Sequence, residues 1–110
     1  MKQATKDAII SFREERDWRQ FHNPKDLAIS LSLEASELLE NFQWLTSEKA
    51  LDKKRDGIEE ELADIIIYSV LFADVIGADI DDIVEAKLKL NNERYPVEKA
   101  KGRMEKYDRL

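Results

Sequence analysis

Four acidic side chains stand at a repeated spacing, Glu34-x-x-Glu37 and then Glu61-x-x-Asp64. A helix advances about 100° per residue, so residues three apart share a face and each pair aims two carboxylates in one direction. Around the first pair, Lys25, Ser32, Ser36, Glu40 and Gln43 form a narrow polar stripe, within about 40° of Ser36. Leu27, Leu31, Leu38 and Phe42 lie across from it. Glu34 falls about 160° from Ser36, among those leucines, and Glu37 about 100° away. The second pair opens a segment in which, from Leu62 to Ile76, the only polar side chains are Asp64, Tyr68, Ser69 and Asp74. A helix apolar on nearly all sides is buried on nearly all sides, and Tyr68 follows Asp64 one turn along the same face.

Burying four ionised carboxylates without partners would cost more than a small domain can tolerate. They must be protonated or held by cations, and neither segment offers a lysine on the face concerned. A cluster of hard oxygen donors suits Mg²⁺, with Mn²⁺ as a substitute. One such pair alone would be read as salt-bridged at a helix end or an oligomer interface; two inward pairs on neighbouring helices favour a metal. The competing function is a non-enzymatic helical interaction module with its acids paired across a subunit boundary. A carboxylate-bridged di-iron bundle would need Glu-x-x-His pairs, but His22 is the only histidine and has no glutamate at that spacing.

The elements that must carry these side chains are helices. The chain has 110 residues, 43% apolar and 38% charged, with three glycines and two prolines, a helical composition sized for one domain, residues 1–110. The first helix is expected over residues 2–16, with Ala8, Ile9 and Phe12 as its apolar side. Asn23-Pro24-Lys25-Asp26 reads as a helix start: cap, proline in the first turn, acid at the third position. That second helix should reach residue 42 or 43. Residues 43–54 are polar and expected to include a loop, with Ser47 able to cap a helix from Glu48 and Gly57 blurring the boundary. The third helix spans 59–76 and stops at Gly77. Asp79 caps a fourth over 80–94, and Pro96 limits it. The charged tail, 97–110, has room for a short helix. Four helices with short joins predict an all-α, antiparallel four-helix bundle. The isoleucine-rich circumference of the third helix predicts a homo-oligomer.

Composition also excludes. There are no cysteines, hence no disulfides, thiolate catalysis or cysteine-type zinc sites. The net charge is −6 with no Lys/Arg stripe, which argues against a nucleic-acid duplex. No apolar run is long enough to span a bilayer, and the N-terminal stretch lacks a signal-peptide core, so no membrane partner is expected and a cytoplasmic protein is the default.

The blocks WRQFHNPKDLAISLSLEASELLENFQW, EELADIIIYSV and KLKLNNERYP, together with the four acids, resemble the MazG-like nucleoside triphosphate pyrophosphohydrolases, and within them the dCTP pyrophosphatase branch. These blocks run from Trp18 to Pro96, most of the chain. The resemblance implies a dimer or dimer of dimers, Mg²⁺ on Glu34, Glu37, Glu61 and Asp64, and cleavage of (deoxy)nucleoside triphosphates, with dCTP or related dNTPs foremost, to monophosphate and pyrophosphate. The setting it implies is nucleotide-pool control or house-cleaning.

Such chemistry needs charge neutralisation, alignment and an activated water. Either Glu34 or Glu37 is the candidate acceptor of the water's proton. Lys87, Asn91 and Arg94 fall at i, i+4 and i+7 on one face of the fourth helix, with Tyr95 adjacent, as candidate phosphate and sugar contacts. The base needs a flat apolar slot with a few polar edges, for which Trp18, His22, Trp44 and Tyr68 are the candidates. Phe21 is expected to pack the turn after the first helix.

Overall fold

A computed structural model describes all of residues 1–110. The chain is all-α: α1 Gln3–Glu15, a 3₁₀ turn Arg19–Phe21, α2 Pro24–Glu40, α3 Ser47–Val75, α4 Ile80–Arg94, α5 Val97–Ala100 and a final 3₁₀ turn Tyr107–Arg109. Contacts separate it into two compact units, Met1–Gly77 and Ala78–Leu110.

Local chemistry sets the helix starts. The Asn23 side chain accepts the Asp26 N–H at 2.9 Å, and Pro24 occupies the first helical position, so a donor with no partner inside the helix is satisfied. Helix α2 ends earlier than its apolar pattern predicts, at Glu40. The following residues form a turn, and Trp44 has φ 66°. A tryptophan in the left-handed region costs of order 1–3 kcal/mol.

Helix α3 differs most from expectation. It starts at Ser47 under Thr46, whose Oγ1 accepts the Lys49 N–H at 3.2 Å, and continues without a loop to Val75. The expected loop is confined to residues 43–46; from Ser47 the polar stretch is helical, irregular only at Lys54, at φ −128° and ψ 26°. Gly57 lies inside the helix because the end of α2 closes against it. A Cβ there would meet Asn41 Oδ1 at 2.9 Å, nearer than ordinary contact. Gly77, at φ 73°, follows the C-terminal residues of α3 as a left-handed terminator.

In the first unit α3 is packed by α2 and, less extensively, by α1. Leu27 of α2 (1% exposed) meets a core continued by Ala50, Ile58, Val70, Leu71 and Ala73 of α3. Leu31, Leu38 and Phe42 are half-buried on the same side. Leu27→Ala is expected to cost about 2–5 kcal/mol, since the lost burial and the cavity add. Denaturant unfolding measures this, and a loss under about 1 kcal/mol would mean that Leu27 does not hold α2 in place.

The second unit is headed by α4. The Asp79 side chain accepts the Asp82 N–H at 3.0 Å, acids occupy the first turn and Arg94 the last, each favourable to the helix dipole. Its final residues meet the tail: the Tyr107 ring packs edge-on to Tyr95 at 6.0 Å, and the Arg94 guanidinium lies 4.7 Å over Tyr107.

Candidate active site

Helices α2 and α3 bring carboxylates that are distant in sequence into one group. One oxygen from each of Glu34, Glu61 and Asp64 lies within 4.8 Å of the others, and all three residues are half-buried. Glu34 Oε2 and Glu61 Oε2 are shut from water and have no hydrogen-bond partner. Such orphaned oxygens are costly unless a cation or proton meets them.

The electrostatics follow. Burial, then hydrogen bonding to Glu61 and Glu37, then repulsion from Glu37 and Asp64, pushes Glu34 up to about 7. The hydrogen bond from Glu34 lowers Glu61, but burial together with Glu37 and Asp64 outweighs it and leaves Glu61 raised. The cluster thus holds on to protons to higher pH than isolated carboxylates do. Glu37 is exposed and stands outside the tight group, although its charge reaches both neighbours. Its place on the edge of the α2 wheel accounts for that: it faces the cluster obliquely, where Glu34 faces it squarely. Hard, closely set oxygen donors, two of them buried and unpartnered, fit a divalent cation.

Beside the acids lies a cavity of about 630 Å³ among α1, the turn that follows it and α3, within the usual range for small-molecule sites. Asp64, Tyr68, Trp18 and His22 all line it. Three of the four aromatic side chains expected at a base slot are thereby gathered. Trp18 packs edge-on to Phe12, with ring centroids 5.6 Å apart. His22 is half-buried, its Nδ1 has no partner, and burial followed by the charge of Arg13 lowers its pKa, so the ring favours the neutral form.

The fourth, Trp44, is not in the cavity: it is 92% exposed on its strained turn. Phe21 is also 63% exposed and does not pack the turn as expected. Lys87, Asn91 and Arg94 share one face of α4, with Lys87 and Arg94 exposed and Asn91 half-buried; Tyr95 closes the helix. These four belong to the second unit.

Sequence reasoning missed Arg13, which also lines the cavity and is 1% exposed. Its Nη1 lies 2.8 Å from Asp74 Oδ2. The available signal was Asp74 itself, an acid in an otherwise apolar stretch of α3.

A model of the MazG-like family matches residues 29–110. The chain is 39% identical over 104 residues to dCTP pyrophosphatase 1 of Bos taurus, a match covering 90% of this chain and 62% of that protein. For dCTP pyrophosphatase 1 of Homo sapiens the identity is 38% over 104 residues, covering 90% and 61%. The chain therefore spans about three-fifths of the length of these curated relatives. A crystal structure of a pyrophosphatase from Archaeoglobus fulgidus is similar with a TM-score of 0.77 at 38% identity, over 82% of this chain and 87% of that one.

Proposed function

The chain belongs to the MazG-like family, and from that premise we propose that it hydrolyses (deoxy)nucleoside triphosphates, dCTP or related dNTPs first, to monophosphate and pyrophosphate. The observation that carries this is the Glu34–Glu61–Asp64 group with two buried, unpartnered oxygens, set beside a cavity lined by Asp64, Trp18, His22 and Tyr68. The activities for which the relatives are named, dCTP pyrophosphatase and pyrophosphatase, support the same reaction class.

In this proposal Glu34, Glu37, Glu61 and Asp64 hold a divalent cation, Mg²⁺ first and Mn²⁺ as substitute. When bound, the cation supplies neutralisation of triphosphate oxygens and Lewis acidity. Glu34 or Glu37 accepts the proton of the attacking water. Exposed Glu37 meets solvent directly, whereas Glu34 has the raised basicity. Trp18 and Tyr68 offer ring faces for the base, and neutral His22 can both donate and accept at its edge. Trp44 is proposed as a further base contact from its exposed turn. Lys87, Asn91, Arg94 and Tyr95 carry the groups that phosphate and sugar recognition requires.

We further propose a dimer or dimer of dimers, because Leu39, Leu62 and Leu88 are 70%, 50% and 56% exposed. No helix is long and apolar enough to cross a membrane. The proposed setting is the cytoplasmic nucleotide pool.

The test is incubation of the protein with each dNTP and Mg²⁺, with products resolved. Nucleoside monophosphate and pyrophosphate in equal amounts are expected. Orthophosphate without pyrophosphate, or no turnover of any nucleotide, overturns the assignment.

A further inference from the structure

Arg13 is the buried charged residue of this protein, and the partners it meets are not those of a passive core residue. Its Nε donates to Glu14 Oε1 at 2.8 Å and its Nη1 ion-pairs with Asp74 Oδ2 at 2.8 Å. Arg19 Nη1 reaches the same Asp74 oxygen at 3.4 Å and Glu14 Oε1 at 3.7 Å. Two arginines and two acids thus join three elements: the end of α1, the 3₁₀ turn and the last turns of α3.

Asp74 has no helical reason to be there. A carboxylate near a helix C-terminus opposes the helix dipole, and it interrupts an apolar stretch. Its partners supply the reason. The network also grips both ends of the link that carries Trp18 and His22. The Trp18 N–H bonds to the Arg13 carbonyl at 3.1 Å, and the His22 N–H to the Arg19 carbonyl at 3.0 Å. Within the first of these turns, just before Trp18, Asp17 holds a left-handed φ of 54°, so this link does not keep its course by ordinary backbone preference. Arg13, Trp18 and His22 line the same cavity against Tyr68 and Asp64 of α3.

We infer that the Arg13–Asp74 ion pair positions the nucleoside half of the site: it holds the Trp18–His22 wall at a set distance from α3, and so governs affinity for the base-bearing substrate rather than phosphate chemistry. This rests on the nucleotide reading above. Arg13 and Asp74 are positioning residues; neither is assigned a contact with the reacting atoms.

The experiment uses the full chain carrying Asp74→Asn, with Asp74→Glu as the conservative variant. Kinetics are measured with the preferred dNTP, and inhibition with inorganic pyrophosphate, which has no base. Asp74→Asn is expected to raise KM roughly ten-fold with kcat within about two-fold, to leave pyrophosphate inhibition unchanged, and to be largely rescued by Asp74→Glu. A second arm reads the wall directly. The chain has two tryptophans, so in a Trp44→Phe background Trp18 alone fluoresces, and Asp74→Asn should redden its emission and increase its quenching by acrylamide. If Asp74→Asn does not fold, Arg13→Met with Asp74→Leu removes both charges without burying one alone and carries the same readouts. A lower melting temperature with KM, kcat and Trp18 emission unchanged overturns the inference, as does a fall in kcat at constant KM. A parent protein that turns over no nucleoside triphosphate instead defeats the function on which the inference rests, so the two failures are distinct.

Discussion

Glu61→Gln is expected to lower kcat for nucleoside triphosphate hydrolysis by ~10²–10⁴-fold while raising the melting temperature of the metal-free protein. Both effects have one origin. Glu61 Oε2 is buried without a partner, and Glu61 stands against Glu34 and Asp64 in a group less than 5 Å across. Glutamine keeps the shape and removes the charge. The cost of holding a half-buried Glu61 carboxylate beside Glu37 and Asp64 is relieved, so the metal-free fold gains. The anionic oxygen that a hard cation requires is lost with it. Initial rates at saturating Mg²⁺ and thermal unfolding in a chelator measure the two. An E61Q protein of undiminished activity, or one less stable than the parent in the chelator, would sink the acid-cluster assignment. A residue that costs stability and is needed for activity is the usual signature of a functional site.

Metal-free protein should lose stability as the pH rises from about 4.5 to about 7, and a divalent cation should restore it most at the upper end. The sign comes from proton counts. Glu34 is pushed up to about 7, first by burial and then by its carboxylate neighbours, against an ordinary 4.5, and Glu61 is raised as well. Between these values the folded state binds more protons than the unfolded state, so stability falls with rising pH. His22 works in the opposite sense. Its lowered pKa makes the fold lose stability as pH drops below the ordinary 6.5, but one imidazole is set against two carboxyls. A cation competes with the proton for these oxygens and stabilises by about 2.7 kcal/mol at one hundred times its Kd, which is several degrees in a domain this size. Melting curves at pH 5, 6, 7 and 8, with and without Mg²⁺, decide it. Metal-free stability that climbs steadily from pH 5 to 7, or a Mg²⁺ shift that is the same at every pH, contradicts the expectation.

Helix starts were legible because caps are local. Asn23 with Pro24 and Asp79 satisfy backbone donors within three residues, and each opens a helix where the residue types place it. Helix ends were less legible. The apolar pattern of α2 runs on to Phe42, yet the helix stops at Glu40, and the loop expected within residues 43–54 ends at Thr46, just before α3 begins. Chain polarity does not distinguish an exposed helix from a loop; the approach of Asn41 to Gly57 does, and that is a contact between elements.

The all-helical class, the inward aim of Glu34, Glu61 and Asp64, and the common face of Lys87, Asn91 and Arg94 were determined by the sequence itself, since a 100° step and a cap require only neighbouring residues. Only the tertiary structure decided how α2 registers against α3. That register set Glu34 against Glu61 and Asp64 and left Glu37 at the edge. The packing of α1 and the turn after it against α3 joined Trp18, His22 and Tyr68 around one cavity and gave Asp74 its buried partner in Arg13, while the turn after α2 left Trp44 in solvent. The reason is physical: distances between side chains on different helices depend on how whole faces pack, and no spacing along a single chain segment encodes them.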